Sequence, residues 1–423
     1  MSIVKSLNKG DIYILKGDIK FKVIEGVVEA VGKKFHQGEE DFIPSGKSIP
    51  VESIENSQIE LSEDNKDKIH KIEARTIPDE WDKLIERIKN EKDSKIIILG
   101  EMDTGKSFFT TYIANKLIES GRKVGVIDTD IGQSDIGPPT TIGLALLEKP
   151  ILFLHSAKIY SIEFVGALSP ALHFIPMLVS FNKIVKKALS VSDITIINTN
   201  GWVHGDGGRA LKIAKIDIFE PDIIVLLQRK DECEHLVKSV FPKSKIIRLK
   251  ASKKTSNTSK IEREKLRNLI SQRYFKNSNV VVLNFEDFET ERCYFKTGEK
   301  IYIPELLKSN VIYIEKFPAF DGILVVSERR LTLDEINILN SHNLYNIKNI
   351  VKGREKGIVV GLLDANKELL ALGIVKDIDF KNEKIYIITP FAGNKSQIKI
   401  IQFGSLRYTE EGKENGFVEP GYF

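Results

Sequence analysis

Gly100-Glu101-Met102-Asp103-Thr104-Gly105-Lys106-Ser107 matches the spacing G-x-x-x-x-G-K-[ST], and that spacing has a mechanical reason. The glycines let the backbone curl until successive N–H groups face one phosphate, and a helix opening at Lys106 adds the positive end of its dipole. In such a loop Lys106 reaches the outer phosphate oxygens and Ser107 ligands Mg²⁺, while backbone N–H groups from Gly100 to Phe108 cradle the phosphates. A plain glycine turn is the alternative. The apolar run Ile96-Ile97-Ile98-Leu99 before the loop and a helical stretch from Lys106 to about Ser120 after it favour the phosphate cradle.

Asp128-Thr129-Asp130 follows a second apolar run, Val124-Gly125-Val126-Ile127, which places both carboxylates at the C-terminal edge of a sheet beside that loop. A carboxylate there holds Mg²⁺ or accepts the proton of an attacking hydroxyl, the two tasks phosphoryl transfer demands besides positioning. The competing reading is a turn cap at the strand end, with more weight for Asp128 than for Asp130. His155, His173 and His204 have no cysteine or carboxylate at ligand spacing and read as structural. Of the three, His204, just after Trp202, is the one to test.

The elements that must position these groups form an α/β pattern. Apolar runs Ile96 to Leu99, Val124 to Ile127, Ile194 to Ile197, Ile223 to Leu227 and Ile246-Ile247 alternate with helical stretches, the pattern of buried strands in a parallel sheet flanked by helices. From Asp11 to about Ser62 the runs are short and glycine-broken, as in a small β domain. Ser62 to Lys68 reads as a charged linker, and Pro78 to Asn90 as an amphipathic helix with Trp81, Leu84, Ile85 and Ile88 on one side. After about Val280 strand-like patterning returns at Gly357 to Leu363, Ala371 to Val375 and Lys384 to Ile388, with a helix at Leu333 to His342. The expected division is an N-terminal β domain at 1–75, a central P-loop domain at 76–280 and a C-terminal β-rich domain at 281–423.

Composition narrows the setting. Two cysteines, Cys233 and Cys293, build neither a disulfide framework nor a zinc site, and with no apolar leader after Met1 they point to the reducing cytoplasm. The uncharged stretch Phe164 to Phe181 contains Ser169-Pro170, His173 and Pro176, so it reads as protein interior rather than a membrane span. Lys243 to Lys276 holds twelve basic and two acidic residues, a formal +10 in a chain of net +4. It is either a polyanion-binding surface or a solvated face.

Asp128-Thr129-Asp130-Ile131-Gly132-Gln133, Gly137-Pro138-Pro139-Thr140, Phe164 to Pro170 and Thr199-Asn200-Gly201-Trp202-Val203 together resemble the polynucleotide 5′-hydroxyl kinases of the RNA-processing type. That family includes kinase subunits of pre-mRNA 3′-end and tRNA-splicing machinery, pre-ribosomal-RNA kinases and single-chain archaeal enzymes. The resemblance covers Ile96 to Phe275 in motif order and is architectural at the flanks. It implies that Asp130 activates the 5′-hydroxyl, that Asp128 and Gln133 lie near the substrate, and that Thr199, Gly201 and Trp202 form a clasp on the substrate end. An aromatic suits a site that must accept any base, although a core role for Trp202 is the plainer alternative.

The resemblance also implies an arginine-bearing lid ahead of Tyr274-Phe275, matched here by Arg263 and Arg267, with Arg248 and Arg273 as substitutes. Ser107 is followed by Phe108 where many members have a second hydroxyl. The implied activity is transfer of the ATP γ-phosphate, with Mg²⁺, to the 5′-hydroxyl end of RNA in preference to DNA, with protein partners from RNA processing and no membrane. A nucleotide-binding assembly subunit with little catalysis is the alternative. A GTPase or partitioning ATPase is a third, but Leu226-Leu227-Gln228-Arg229 stands where a guanine signature would be.

Overall fold

The computed structural model describes residues 2–63, 65–90, 94–239, 243–251, 259–317 and 322–423. Asp64 of the expected linker and Lys253 and Lys254 of the basic segment lie outside the described residues. The protein is mixed α/β, and its chain divides into two compact units: 1–137, 142–162 and 178–258 in the first, 138–141, 163–177 and 259–423 in the second.

The central sheet contains β1 (Lys95–Leu99), β2 (Val124–Asp128), β3 (Thr141–Leu147), β4 (Ile159–Phe164), β5 (Ile194–Asn198), β6 (Ile223–Gln228) and β7 (Lys245–Lys250). Their order across the sheet is β4-β3-β2-β5-β1-β6-β7. The five apolar runs read from the sequence are the five parallel strands, with Ile97 paired to both Ile197 and Ile224 and Val126 to Ile196. β-branched side chains covered on both faces favour this arrangement. β3 is antiparallel to β2, an extension of the sheet that alternation of strand and helix does not announce. Because β5 lies between β1 and β2, the chain reverses direction of build-out there and opens a crevice beyond the strand C-termini.

The five longest helices among the described residues are α1 (Asp79–Asn90), α2 (Lys106–Ile118), α3 (Phe174–Val191), α4 (Gly205–Phe219) and α5 (Lys260–Phe275). The expected stripe of α1, Trp81, Leu84, Ile85 and Ile88, is buried. Each such side chain contributes about 1.5–3 kcal/mol relative to exposure. Trp81 meets Phe109 of α2 edge-on at 4.6 Å between ring centroids.

The N-terminal segment forms two antiparallel sheets that start earlier and end later than the sequence suggests. Ile3–Leu7 opens the four-stranded sheet, and Ile69–Ile72, beyond the charged stretch, closes the five-stranded one against Ile12–Lys16. These sheets share one apolar core with α1, α2 and the central sheet. Inside it the buried Asn115 amide of α2 donates to the carbonyls of Val31 and Ile151, both at 2.7 Å, and accepts from Ile151 N at 2.9 Å. A buried amide satisfied this way ties the α2 backbone to its neighbours at little desolvation cost.

In the second unit, Asn279–Asn284, Lys384–Thr389, Leu369–Asp379, Ile358–Leu363, Ile400–Tyr408 and Glu289–Glu291 lie side by side. A four-stranded sheet ends in the parallel pair Gly322–Ser327 and Ile347–Val351. The helix Leu333–Ser341 crosses between them and opens on a Thr332/Glu335 capping box.

Phe164 to Phe181 departs from the expected interior. Phe164 and Phe181 are buried, but Leu172 and Ile175 are 80% and 78% exposed. The turn at Leu172, with φ of 63°, lifts these side chains out of the core. Among the described residues no helix is long and apolar enough to cross a membrane.

Candidate active site

The phosphate loop joins β1 to α2. Asp103 (φ 55°) and Gly105 (φ 91°) take left-handed backbone, which turns consecutive N–H groups inward as an anion nest requires. Thr104 Oγ1 donates to the Glu101 carbonyl at 2.9 Å, and Lys106 Nζ donates to the same oxygen. Burial holds the Lys106 pKa down, to about 8, with Asp130 pulling the other way.

A bound polyphosphate favours the ammonium and so raises that pKa. The lysine's contribution to nucleotide affinity is therefore complete below about pH 8 and lost as pH rises beyond it. Between pH 7 and pH 9 the ATP dissociation constant should rise about tenfold, read by calorimetric titration. A flat profile would refute it.

Asp128 ends β2 and is fully buried. Its Oδ1 accepts from Asp130 N at 3.2 Å and Asn198 Nδ2 at 3.3 Å, and its Oδ2 from Asp135 N at 2.6 Å and Ile136 N at 3.4 Å. Complete burial beside Asp135 and Asp130 pushes its pKa up, and the backbone donors oppose that shift. Asp128, expected near the substrate, has no exposed surface and braces the loop 129–136 that carries Asp130. Asp130 sits half-buried just beyond. Its Oδ1 accepts from Gly132 N at 3.2 Å and Gln133 N at 3.0 Å, and among the described residues its Oδ2 makes no hydrogen bond. Gln133 is half-buried, with Nε2 donating to the Gly132 carbonyl at 3.0 Å.

The third piece is the loop after β5. Thr199 is buried, and its Oγ1 donates to Ile98 O of β1 at 2.8 Å, so its hydroxyl ties the loop to the sheet. Gly201 lies against the phosphate loop: a Cβ there would stand 2.5 Å from Met102 N and 2.7 Å from its Cα. Trp202 is half-buried, with its indole over Gly208 of α4. The cradle, the carboxylate and the clasp loop thus meet at one rim of the sheet, all within the first unit.

Residues 100–277 match the P-loop of the mRNA cleavage and polyadenylation factor CLP1 family. A polyribonucleotide 5′-hydroxyl-kinase of Methanocaldococcus jannaschii is 33% identical over 354 residues, spanning 81% of this chain and 95% of its own length. The chain belongs to the Clp1-type polyribonucleotide 5′-hydroxyl-kinase family. The corresponding kinase of Pyrococcus abyssi is 32% identical over 79% of this chain and 94% of its own. The fold is similar to that of a solved wild-type Clp1p–Pcf11p complex, with a TM-score of 0.64 and 14% identity over 96% of this chain and 98% of the other.

Two family features take particular forms here. Where many members of the kinase family have a second hydroxyl, Phe108 turns its ring toward Trp81, 6.1 Å away between centroids, and serves the α1–α2 packing. The arginines matched to the lid lie on α5 in the second unit. Arg267 is held in a bidentate pair with Glu414, Nε to Oε1 at 2.6 Å and Nη2 to Oε2 at 3.1 Å, and only 17% of its side chain is exposed. Arg263 is half-buried one turn earlier. Of the substitutes, Arg248 is bidentate with Glu234 at 2.8 Å and Arg273 is exposed.

Sequence reasoning missed two residues of the site. Arg229, just past β6, donates to the carbonyls of Asp103 at 2.7 Å and Met102 at 3.3 Å and pairs with Glu101, which His204 also meets. It clamps the outer side of the phosphate loop. Asn198 directs one Nδ2 at both Ser107 Oγ, 3.2 Å away, and Asp128. Its signal was available, as a polar residue ending the apolar run Ile194 to Ile197.

Proposed function

We propose that this chain transfers the γ-phosphoryl group of ATP to the 5′-hydroxyl end of RNA. The observation that carries the reading is the half-buried Asp130, with one carboxylate oxygen that accepts no hydrogen bond among the described residues, beside a phosphate cradle and an aromatic-bearing loop. The cradle suits a triphosphate because its N–H groups and Lys106 are all donors. Among the described residues no three His, Cys, Asp or Glu side chains cluster as a metal site. That fits Mg²⁺, which binds through one or two protein oxygens and completes its shell with phosphates and water. Ser107 and Asp130 would hold it, and when bound it supplies counter-charge to the phosphates.

Lys106 and the backbone N–H groups from Gly100 to Phe108 orient the triphosphate. Asp130 accepts the proton of the 5′-hydroxyl as its oxygen bonds to the γ-phosphorus and the bond to the β-phosphate oxygen breaks. Gln133 and Trp202 face the substrate end, with Thr199 and Gly201 setting the position of the clasp and Asp128 the position of Asp130. Arg263 and Arg267 are assigned to transition-state charge, and for Arg267 that role requires exchange of Glu414 for phosphate.

The proposed functional division is 1–75, 76–280 and 281–423, and it is supported by the central sheet, every strand of which falls in the middle segment. Two free cysteines support work in a reducing cytoplasm, and the resemblance to RNA-processing kinases supports protein partners. Purified protein with γ-labelled ATP and matched RNA and DNA oligonucleotides bearing 5′-hydroxyls tests the proposal. Label on RNA with less on DNA is expected. Label on neither refutes transfer and favours an assembly role.

A further inference from the structure

Two lysines sit where core side chains belong. On α4, Gly208, Lys212 and Lys215 follow one another at i, i+4 and i+7, so they share a helix face. Lys212 and Lys215 are both fully buried, a place lysine almost never takes without a paired carboxylate. Neither ammonium meets one among the described residues. Lys212 Nζ donates to the Asn200 carbonyl at 2.6 Å and to the Asn200 side-chain oxygen at 2.5 Å. Lys215 Nζ donates to Thr129 Oγ1 at 2.8 Å and stands 5.4 Å from the ring centroid of Phe181.

The oxygens they meet belong to the two loops that carry the chemistry. Thr129 stands between Asp128 and Asp130, and its hydroxyl and backbone N–H both donate to Asn198 O, at 3.1 and 2.9 Å. Accepting from Lys215 completes that hydroxyl's bonding. Asn200 stands between Thr199 and Gly201, and the Trp202 indole covers Gly208, whose Cβ, if present, would lie 3.1 Å from indole Cδ1. One buried stripe of α4 therefore touches the carboxylate loop and the clasp at the same time. The ionisable groups acting on the pair are Asp128 and Asp130 at Lys215, and Lys106, Lys215, Asp130 and Cys233 at Lys212. Burial lowers both lysine pKa values, that of Lys215 to about 7.

Apolar side chains of the same length would fill these positions without desolvating an amine, so packing alone gives no reason for lysine. We infer that Lys215 and Lys212 are positioning residues that fix the carboxylate loop and the substrate clasp to one helix, and thereby set the distance between Asp130 and the 5′-hydroxyl. The inference rests on Asp130 being the proton acceptor.

The test uses the full chain with ATP and 5′-hydroxyl RNA, comparing Lys215→Met and Lys212→Met with Leu211→Ala, a packing control on the same helix. Lys215→Met should lower kcat about 100-fold while the ATP dissociation constant stays within about threefold, because the reacting groups are misplaced and the cradle is not. Lys212→Met should raise KM for RNA about tenfold or more with a smaller change in kcat. Combining Lys215→Met with Asp130→Asn should add no further loss, since both act on one step.

Wild-type kcat in Lys215→Met, or a loss shared equally by ATP affinity and melting temperature as in Leu211→Ala, overturns the inference. Should Lys215→Met not fold, Lys215→Gln decides: a loss of about tenfold or more in kcat at wild-type ATP affinity supports positioning, and kcat within about threefold refutes it. Full activity in Asp130→Asn alone defeats the proton-acceptor reading, whereas an inactive Asp130→Asn beside an active Lys215→Met defeats only the lysines' role.

Discussion

Asp130→Asn should lower kcat by about 10²- to 10⁴-fold, the range a positioned general base contributes. The replacement is nearly isosteric, and its remaining oxygen can still accept from Gly132 N and Gln133 N, which hold Oδ1 of the aspartate now. The loop therefore keeps its course. What disappears is the free Oδ2, replaced by an amide that donates protons and takes none. ATP affinity should stay within about threefold, because the donors of the cradle are untouched. Since Asp130 also supports the charge on Lys106, that comparison belongs at pH 6, where the lysine stays protonated. Transfer of labelled phosphate gives kcat, and calorimetry gives the affinity. A kcat within tenfold of the original would remove Asp130 from the base role, and recovery on raising Mg²⁺ would leave it the metal-holding role alone.

The parts of this site that local sequence specifies could be read before any coordinates. A phosphate loop needs its glycines, lysine and hydroxyl within eight consecutive residues, and five of the sheet's strands are marked by short apolar runs. Asp130 was legible for the same reason, as the second acid of the Asp128-Thr129-Asp130 triplet that follows such a run. The parts that depend on contacts between distant segments were not. Arg229 reaches Asp103 across 126 residues, and Arg267 finds Glu414 across 147. No periodicity encodes such a meeting, because the partner is chosen by how sheets and loops close rather than by neighbours in the chain.

The lysines of α4 were not legible for a related reason. On a helix with mixed polarity, Lys212 and Lys215 look like solvent-facing charge, and only their partners in the loops at Thr129 and Asn200 explain their burial. The uncharged run ending at Phe181 failed in the opposite sense. Its composition says interior, yet the left-handed turn at Leu172 carries apolar side chains to the surface. Composition records what a segment could bury, and the backbone decides what it does bury.

Gly201→Ala should cost about 1–3 kcal/mol of stability, the usual penalty for forcing a methyl into filled space, and lower kcat/KM by about 100-fold. The added Cβ would fall 2.4 Å from Met102 Cγ, 2.5 Å from Met102 N and 2.7 Å from Met102 Cα. The Met102 side chain is 58% exposed and can swing aside. The backbone cannot, because Arg229 grips the carbonyls of Met102 and Asp103 while Lys106 holds that of Glu101. The clasp loop is equally held, by Thr199 on Ile98 and by Lys212 on Asn200. Strain therefore enters either the phosphate cradle or the clasp, and either shift moves the reacting groups apart. Thermal melting and steady-state kinetics measure the two effects. Adding Met102→Ala should restore little, since the obstructing N and Cα remain, and full recovery in that double variant would show that side-chain crowding alone was the obstacle.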